Sequence, residues 1–481
     1  MDRSRQTRPY PQRSEMGPTI SISRRWALIN CLSVITLGQV ANSQQLPTNP
    51  PPDERFKADV LVIAPHPDDE STIAGYLAKA VLDEHRRVAV VVTTRGDAGQ
   101  NLVGYEQARS LAEIREIETR RALASIGITN VFFLRAPDTF GQDLPDVLRS
   151  LETSNHGSSL GEAVRFIRLT RPEVVITMLP ATVVGENHED HQAAGVIATE
   201  AFDLAGDPTW FPEQVAAPED RLWYGNLMEG LRLWQPKKLY YYTDASHLDF
   251  VKGKGPEYSM TAVSPSQHVS YARLAARELS FHRTQYGGEP AKALATNNLH
   301  DFEQPLAFVL AKSLVGGAVT GDIMERVGSG QIPFAPVRGY RPDDTPALSM
   351  ELGEGWAFYR RFYPAHNLDI MPGLLSPELG VGGGQHFPVL LLLHNTTDKP
   401  VTFHLRAQLP QGWIVDSTSA QHSHPWPMSD FIAAPHDDFA VRIRLVAPRL
   451  EKSQWQTITW TADADGREIG PVSLRVYVGG Q

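Results

Sequence analysis

Apolar runs alternate with segments of helical periodicity through the first part of the chain. Five runs have the length and composition of buried parallel strands, at 59–64, 88–94, 130–134, 173–179 and 239–243. Segments with apolar residues three or four positions apart predict amphipathic helices, at 71–86, 106–126, 162–170, 192–198 and 266–286. This order predicts an α/β fold, a Rossmann-like parallel sheet with flanking helices, joined by right-handed crossovers.

The pattern changes near Gly380. Short runs separated by polar turns then follow one another without helices, at 387–393, 401–407, 439–446, 455–462 and 472–478. They predict a C-terminal immunoglobulin-like or fibronectin-like β-sandwich over residues 376–481. Residues 321–375 are rich in proline and glycine and are predicted to form a connector, which leaves 56–320 as the first domain.

The N-terminal segment has the features of an export signal. Arg24 and Arg25 precede an apolar stretch at 27–37 that is too short to span a bilayer, and small residues follow up to Ser43. We therefore predict a signal peptide over 1–43, of the twin-arginine type, and a periplasmic or extracellular protein. The alternative is an N-terminal anchor helix. Residues 44–55, with three consecutive prolines, are predicted to be a tether.

Composition excludes several classes of function. Hydrophobic residues make up 42% and charged residues 21% of the 481 positions, which is ordinary for a globular protein. The formal net charge of -10 argues against general nucleic-acid binding, which needs basic surfaces. The single cysteine, Cys31, lies in the predicted signal, so no disulfide framework is expected. The absence of a GxGxxG motif gives no support for a nicotinamide cofactor.

Two polar motifs follow predicted strands. Pro-His-Pro-Asp-Asp-Glu at 65–70 comes directly after the first strand, and Asn-His-Glu-Asp-His at 187–191 comes after the fourth. In an open α/β sheet, ligands bind at the carboxyl ends of the strands. His188 and His191 are three residues apart, which places both rings on one face of a helical turn. We therefore expect the two motifs to converge.

Together the motifs offer the residues of a catalytic metal site. His66, Asp69 and His191 would supply three nitrogen and oxygen ligands and leave a fourth position open, as in catalytic zinc sites. Asp68 would act as general base and acid on an activated water. His188, if protonated, would stabilise an oxyanion, and Asp190 would hold it in that state. This chemistry predicts a hydrolase of an amide or ester bond.

The same motifs resemble a known family. With Thr-Arg-Gly-Asp-Ala-Gly at 94–99 and His-Arg-Thr-Gln at 282–285, they resemble the LmbE-like, PIG-L-type zinc-dependent N-acetylglucosaminyl deacetylases over residues 56–288. Three positions depart from the family pattern, Glu189 in place of proline, Thr284 in place of serine, and Pro65 where alanine is commoner. None of these departures changes a predicted ligand.

The resemblance implies roles for individual residues. It implies one zinc ion held by His66, Asp69 and His191, with Asp68 as general base and acid and His188 at the oxyanion. By position in the family pattern, Arg95 and Asp138 would contact sugar hydroxyls. Glu70 would bond backbone amides near the start of the following helix.

The sequence thus predicts an exported zinc-dependent deacetylase acting on an N-acetylglucosamine-type amino sugar or a related N-acyl group. One alternative is an amidase acting on a larger N-acyl or thiol-conjugate substrate. Another is a non-catalytic protein that binds glycan or serves as a scaffold. The C-terminal sandwich would contact envelope glycan or support the first domain.

One further motif repeats the first in part. Pro-His-Asp-Asp at 435–438 lies between two predicted strands of the sandwich, with no second histidine motif after it. Neighbours in an extended strand point to opposite faces, which suits metal binding poorly. This motif is predicted to be a polar turn.

Overall fold

The computed structural model describes residues 50–139, 146–154, 156–185, 188–216, 230–337, 346–416 and 428–480. The predicted signal peptide at 1–43 and the first part of the predicted tether lie outside these ranges. Within them, no helix combines the length and the apolar character needed to cross a membrane.

A six-stranded sheet forms the centre of the first region. The strands of this region are β1 Val60–Ala64, β2 Val88–Val92, β3 Asn130–Phe133, β4 Val174–Met178, β5 Lys238–Tyr242, β6 Glu257–Tyr258, β7 Leu306–Ala307 and β8 Val309–Ser313. The order in the sheet is β3-β2-β1-β4-β5-β8, with the first five strands parallel and β8 antiparallel to β5. The predicted α/β sheet is confirmed, and it carries one antiparallel edge strand that the sequence pattern did not reveal.

Burial on both faces explains the continuous apolar runs. All five residues of β1 are buried. Leu61 and Ile63 belong to the core on one face of the sheet, whereas Val60, Val62 and Ala64 belong to the core on the other. Because side chains alternate between faces, a strand covered on both sides must be apolar at every position.

The helices flank this sheet. They are α1 Ala74–Ala78, α2 Ala108–Ala124, α3 Val147–Thr153, α4 His156–Thr170, α5 Glu189–Leu204, α6 Tyr271–Leu279, α7 Arg283–Tyr286, α8 Glu289–Thr296 and, later in the chain, α9 Glu354–Ala365. The predicted helix at 71–86 is a chain of three short pieces, a 3₁₀ turn at Asp69–Ile73, then α1, then a π turn at Lys79–Asp83. The predicted helix at 266–286 is divided between α6 and α7.

The C-terminal region consists of two β-sheets. Its strands are β9 Leu348–Leu352, β10 Glu378–Val381, β11 His386–Asn395, β12 Val401–Gln408, β13 Ile414–Val415, β14 Met428–Ala433, β15 Asp437–Val446, β16 Gln454–Ala464 and β17 Arg467–Val478. One sheet has the order β10-β17-β16-β12-β14 and the other β13-β15-β11-β9. Phe403 and Trp460 of the first sheet share one core with Leu391 and Leu445 of the second. The immunoglobulin or fibronectin type of this region stays a prediction.

The predicted connector at 321–375 contains regular structure. β9 pairs with β11 and is therefore an edge strand of the C-terminal sheets. Tyr359 and Phe362 of α9 lie in the core on one face of the α/β sheet. Residues of this segment thus contribute to both regions, and the predicted domain boundaries stay a prediction.

Candidate active site

The first motif forms a tight turn at the end of β1. Asp68 has a φ of 115°, a left-handed conformation that non-glycine residues rarely adopt. Several hydrogen bonds hold it: the amide of His66 donates to Asp69 Oδ2 at 2.7 Å, the amide of Ser71 to the Asp68 carbonyl at 2.8 Å, and the amide of Asp68 to Glu70 Oε2 at 3.0 Å. The last bond agrees with the amide-bonding role expected for Glu70.

The second motif forms the start of α5. His188 is the N-cap residue, and its Nδ1 accepts a hydrogen bond from the amide of Asp190 at 3.3 Å. The helix lies close against β4, because a methyl group at Gly195 would come within 2.5 Å of the Met178 carbonyl oxygen. Glycine at this position therefore lets the first turn of α5 reach the tip of the sheet, where β1 also ends.

The three predicted metal ligands converge. His66 Nδ1 lies 3.0 Å from Asp69 Oδ2 and 3.1 Å from His191 Nε2, and Asp69 Oδ2 lies 3.4 Å from His191 Nε2. Ligand atoms around a tetrahedral zinc with bonds of about 2.1 Å are roughly 3.4 Å apart. The donor set and its spacing therefore fit a small divalent cation. His188 also lies within reach of this cluster.

The other ring nitrogen of His66 faces two carboxylates. His66 Nε2 lies 3.3 Å from Asp190 Oδ2 and 3.1 Å from Asp138 Oδ1. The amide of Thr139 donates to Asp190 Oδ2 at 2.8 Å, and the Ser150 hydroxyl bonds Asp190 Oδ1. A carboxylate on the second nitrogen is the usual partner of a metal-binding histidine, because it fixes the tautomer and the ring orientation.

Asp190 lies closer to His66 than to His188. Sequence spacing pairs Asp190 with His188, but Asp190 Oδ2 lies 3.9 Å from His188 Nδ1 and 3.3 Å from His66 Nε2. Burial, together with the nearby His66 and His191, lowers the pKa of His188 to about 4. Since Nδ1 accepts a bond from the helix, the neutral ring carries its proton on Nε2. The lowered pKa favours the neutral ring of His188 near neutral pH, and its role at the oxyanion stays a prediction.

The carboxyl groups of Asp68 and Asp69 are shifted in opposite directions. Burial, and then the charge of Asp69, raises the pKa of Asp68 to about 8. Burial acts on Asp69 as well, but the charge of His191 and the bonds from His66 outweigh it and hold the pKa of Asp69 well below its usual value. A pair of neighbouring carboxyl groups with separated pKa values suits one group to ligand binding and the other to proton transfer.

These side chains surround a cavity of about 250 Å³. Asp68, Asp69, Asp138 and the three histidines line it together with Ala98, Gly99, Gln100, Arg115, Thr139 and Gln285. Asp138 Oδ2 also accepts a bond from the Ala98 amide at 2.6 Å. Of the two predicted sugar-binding residues, Asp138 lies in the cavity. Arg95 does not line it and instead forms an ion pair of 2.5 Å with Glu116.

Arg115 of α2 is a residue that the sequence analysis missed. Its guanidinium donates to the carbonyls of Gly96 at 2.7 Å and Gln100 at 2.9 Å, and only 5% of the residue is exposed. A methyl group at Gly96 or Gly99 would lie within 2.7 Å of the guanidinium. The glycines of the motif at 94–99 are therefore the available signal, since they leave room for a large side chain from a neighbouring helix.

Residues of the downstream motif close one side of the site. The Thr284 hydroxyl donates to Glu118 Oε2 at 2.6 Å, so threonine keeps a hydroxyl contact at this position. Gln285 bonds the Pro67 carbonyl and lines the cavity. His282 is fully buried and does not line the cavity among the described residues. Burial acts to lower the pKa of His282. The nearby carboxylates of Glu278 and Glu70 outweigh burial and raise this pKa well above its usual value.

Residues 61–202 match a family model described as PIG-L, GlcNAc-PI de-N-acetylase. The chain is 28% identical over 179 residues to 1D-myo-inositol 2-acetamido-2-deoxy-alpha-D-glucopyranoside deacetylase 1 of Catenulispora acidiphila, covering 35% of this chain and 55% of that protein. A deacetylase of the same substrate name from Streptomyces scabiei is 26% identical over 306 residues, 57% of this chain and 92% of that protein. The chain spans little more than half the length of the first curated relatives that it matches.

One solved structure that matches this chain is N,N'-diacetylchitobiose deacetylase from Pyrococcus horikoshii. It is 18% identical, with a TM-score of 0.39, and the match covers 52% of this chain and 83% of that one.

Proposed function

We propose that this chain is a zinc-dependent amide hydrolase that removes the N-acetyl group from an N-acetylglucosamine-type amino sugar, because residues 61–202 match the PIG-L family model. The substrate class is supported by the printed names of the relatives, which act on a 2-acetamido-2-deoxy-glucopyranoside. The mixed nitrogen and oxygen donor set of His66, Asp69 and His191 favours zinc among the common divalent cations.

The observation that carries the proposal is the position of Asp68 beside three converging ligand atoms. His66 Nδ1, Asp69 Oδ2 and His191 Nε2 lie 3.0–3.4 Å from one another, and Asp68 lines the same cavity. Zinc held there would act as a Lewis acid and make water a better nucleophile. The arrangement leaves Asp68 next to the position where that water and the substrate carbonyl would meet.

Asp68 would transfer protons, and His188 would stabilise the oxyanion. Asp68 would take a proton from the attacking water and return it to the nitrogen of the leaving amine, which needs a carboxyl group able to exist in both protonation states near neutral pH. The Nε2–H of neutral His188 would donate to the carbonyl oxygen as negative charge develops on it. Arg115 and Asp138 line the same cavity and would bind polar groups of the sugar.

A single substitution tests the assignment of Asp68. In Asp68→Asn we expect the rate of acetate release to fall roughly 100- to 10,000-fold, because the amide cannot accept the proton, whereas the zinc content stays near one per chain. Acetate release from N-acetylglucosamine, N,N'-diacetylchitobiose and N-acetylglucosaminyl-inositol measures the rate. Metal analysis of each protein measures the zinc content.

The chain offers a matched control in its second Pro-His-Asp-Asp sequence. Asp437→Asn changes the same residue type at the start of β15, where the side chain is exposed. We expect unaltered activity in this variant. Full activity in Asp68→Asn would refute the proposed chemistry. Release of a larger acid, with no acetate from any of the three sugars, would favour an amidase acting on a larger N-acyl group.

We propose in addition that residues 1–43 direct export of the protein. The paired Arg24 and Arg25 before a short apolar stretch support this proposal. The N-terminal residue of protein recovered outside the cytoplasm tests it, and a residue close to Ser43 is expected. Recovery of the chain with Met1 intact would contradict it.

A further inference from the structure

A second cluster of ionisable side chains lies behind the active-site turn. Glu70 from the 3₁₀ turn, Glu278 from α6 and His282 before α7 are all 0% exposed. His282 Nε2 lies 3.3 Å from Glu70 Oε1 and 3.7 Å from Glu278 Oε1. The Ser71 hydroxyl donates to Glu278 Oε2 at 2.6 Å. One imidazole therefore bridges two carboxylates out of contact with solvent.

The cluster is connected to Asp68 through the backbone. Glu70 faces His282 with Oε1 and accepts a hydrogen bond from the Asp68 amide with Oε2. None of the three residues lines the cavity that the described side chains enclose. Their contact with the reaction is thus indirect, from His282 to the Glu70 carboxylate and from there to the backbone of Asp68.

Asp68 is a residue whose backbone needs such a restraint. The φ of 115° at Asp68 is a left-handed conformation that is unfavourable for a non-glycine residue, and it persists only where the surroundings enforce it. The side chain of Asp68 nevertheless lines the cavity, beside the predicted ligand Asp69. Release of the Asp68 amide would let the turn relax and move the carboxyl group.

Stability alone gives no reason for this cluster. Three buried ionisable groups lose their hydration, and buried ion clusters are often no more stable than apolar side chains of the same volume. A buried charged network is better explained where it fixes one conformation of something else. The turn at Asp68 is the element that this network contacts.

We propose that His282 is a positioning residue for the deacetylation, which holds the Glu70 carboxylate in place so that Glu70 fixes the left-handed turn that aims Asp68 into the cavity. The inference rests on the proposed function. His282 does not line the cavity in this arrangement, and Glu278 contacts the same ring nitrogen, Nε2, at 3.7 Å.

Two substitutions of His282 test the inference. His282→Leu removes the bridging nitrogen, and His282→Gln keeps a nitrogen donor near the position of Nε2. For His282→Leu we expect kcat per folded molecule to fall roughly 10- to 100-fold with KM within about twofold of the wild type, since a displacement of about 1 Å can reduce a rate this much. For His282→Gln we expect the fall in log kcat to be at most half of that in His282→Leu. Zinc content is expected to stay near one per chain in both.

His394 supplies the matched control. It is also a buried histidine between two carboxylates, with Nε2 2.9 Å from Glu351 and Nδ1 2.5 Å from Asp438, but it lies in β11 of the C-terminal sheets. We expect His394→Leu to lower the melting temperature and to leave kcat per folded molecule unchanged. This control separates a loss of positioning from a general loss of stability.

Other outcomes overturn the inference. If His282→Gln and any folded His282→Leu have the kcat of the wild type, or if the loss of rate follows a loss of zinc, His282 does not act through Asp68. A wild-type protein that releases no acetate from any sugar in the panel refutes the proposed function instead. In that case the effect of His282 on the turn is read from hydrogen exchange at the Asp68 amide, which is expected to be faster in His282→Leu.

Discussion

Arg115 shows how one buried side chain can shape both a loop and a cavity wall. Its guanidinium bonds two carbonyls of the segment after β2, and the residue lines the cavity together with the histidines. Only the planar fork of arginine reaches both carbonyls at once, and lysine offers a single point of charge instead. Arginine and lysine are therefore not equivalent at position 115.

We expect Arg115→Lys to lower kcat/KM by roughly 10- to 100-fold, mainly through a higher KM, because the cavity wall loses two fixed hydrogen bonds. Steady-state kinetics on the best sugar of the panel measures the effect. Arg109→Lys on the same helix is the control, since 88% of the Arg109 side chain is exposed. Equal kinetics in Arg115→Lys and Arg109→Lys would show that Arg115 has no part in binding.

Asp190 has a closer partner than the one that sequence spacing predicts for it. Sequence spacing placed Asp190 near His188, because the two are neighbours on one helical turn. The structure gives Asp190 to His66, which is 124 residues away in the sequence. Local spacing predicted which side chains lie in the cavity. Which of them pair depends on how the ends of β1 and β4 approach each other, and local sequence patterns do not contain this information.

At the scale of elements, the strands of the parallel sheet were easier to predict than the helices between them. A strand buried on both faces must be apolar throughout, so β1, β2 and β4 each appear as an unbroken run. The segment after β1 has helical periodicity, yet it divides into 3₁₀, α and π turns. Tertiary contacts of the buried Glu70 and Tyr76 outweigh periodicity there, and single-sequence patterns do not contain those contacts.

His394 connects three strands of one C-terminal sheet. It lies in β11 and bonds Glu351 of β9 and Asp438 of β15. The hydrogen bond to Glu351 is the largest cause of the raised pKa of His394, whereas burial acts to lower this pKa. The unfolded-state pKa is about 6.5. The stabilisation is therefore complete below about pH 6.5 and is lost as the pH rises through the folded-state pKa.

We accordingly expect the melting temperature of His394→Gln to differ from that of the wild type most near pH 6 and least near pH 9. Hydrogen bonds to charged groups contribute about 2 kcal/mol each, so the difference near pH 6 is a few degrees. Thermal denaturation at several pH values measures it. A difference that stays constant from pH 6 to pH 9 would mean that protonation of His394 contributes nothing to stability.

At the scale of the whole molecule, α9 links the two regions. β9 and α9 are separated by one residue, yet β9 pairs with β11 while α9 packs on the α/β sheet. The Tyr359 hydroxyl bonds Gln192, the residue after His191, and the Tyr363 hydroxyl bonds the Pro180 carbonyl. The sequence pattern did not predict this link. Proline and glycine around residues 328–346 are typical of a loop, and β9 is only five residues long.

This arrangement predicts that the two regions unfold together. Phe362 of α9 is 5% exposed and lies in the α/β core, so Phe362→Ala is expected to cost about 3–5 kcal/mol. Because α9 is covalently and sterically continuous with β9, we expect one calorimetric transition in both the wild type and the variant, shifted to lower temperature in Phe362→Ala. Leu391→Ala, in the core of the C-terminal sheets, is expected to shift the same single transition. Two transitions, each moved by only one of these substitutions, would show that the regions are thermodynamically independent.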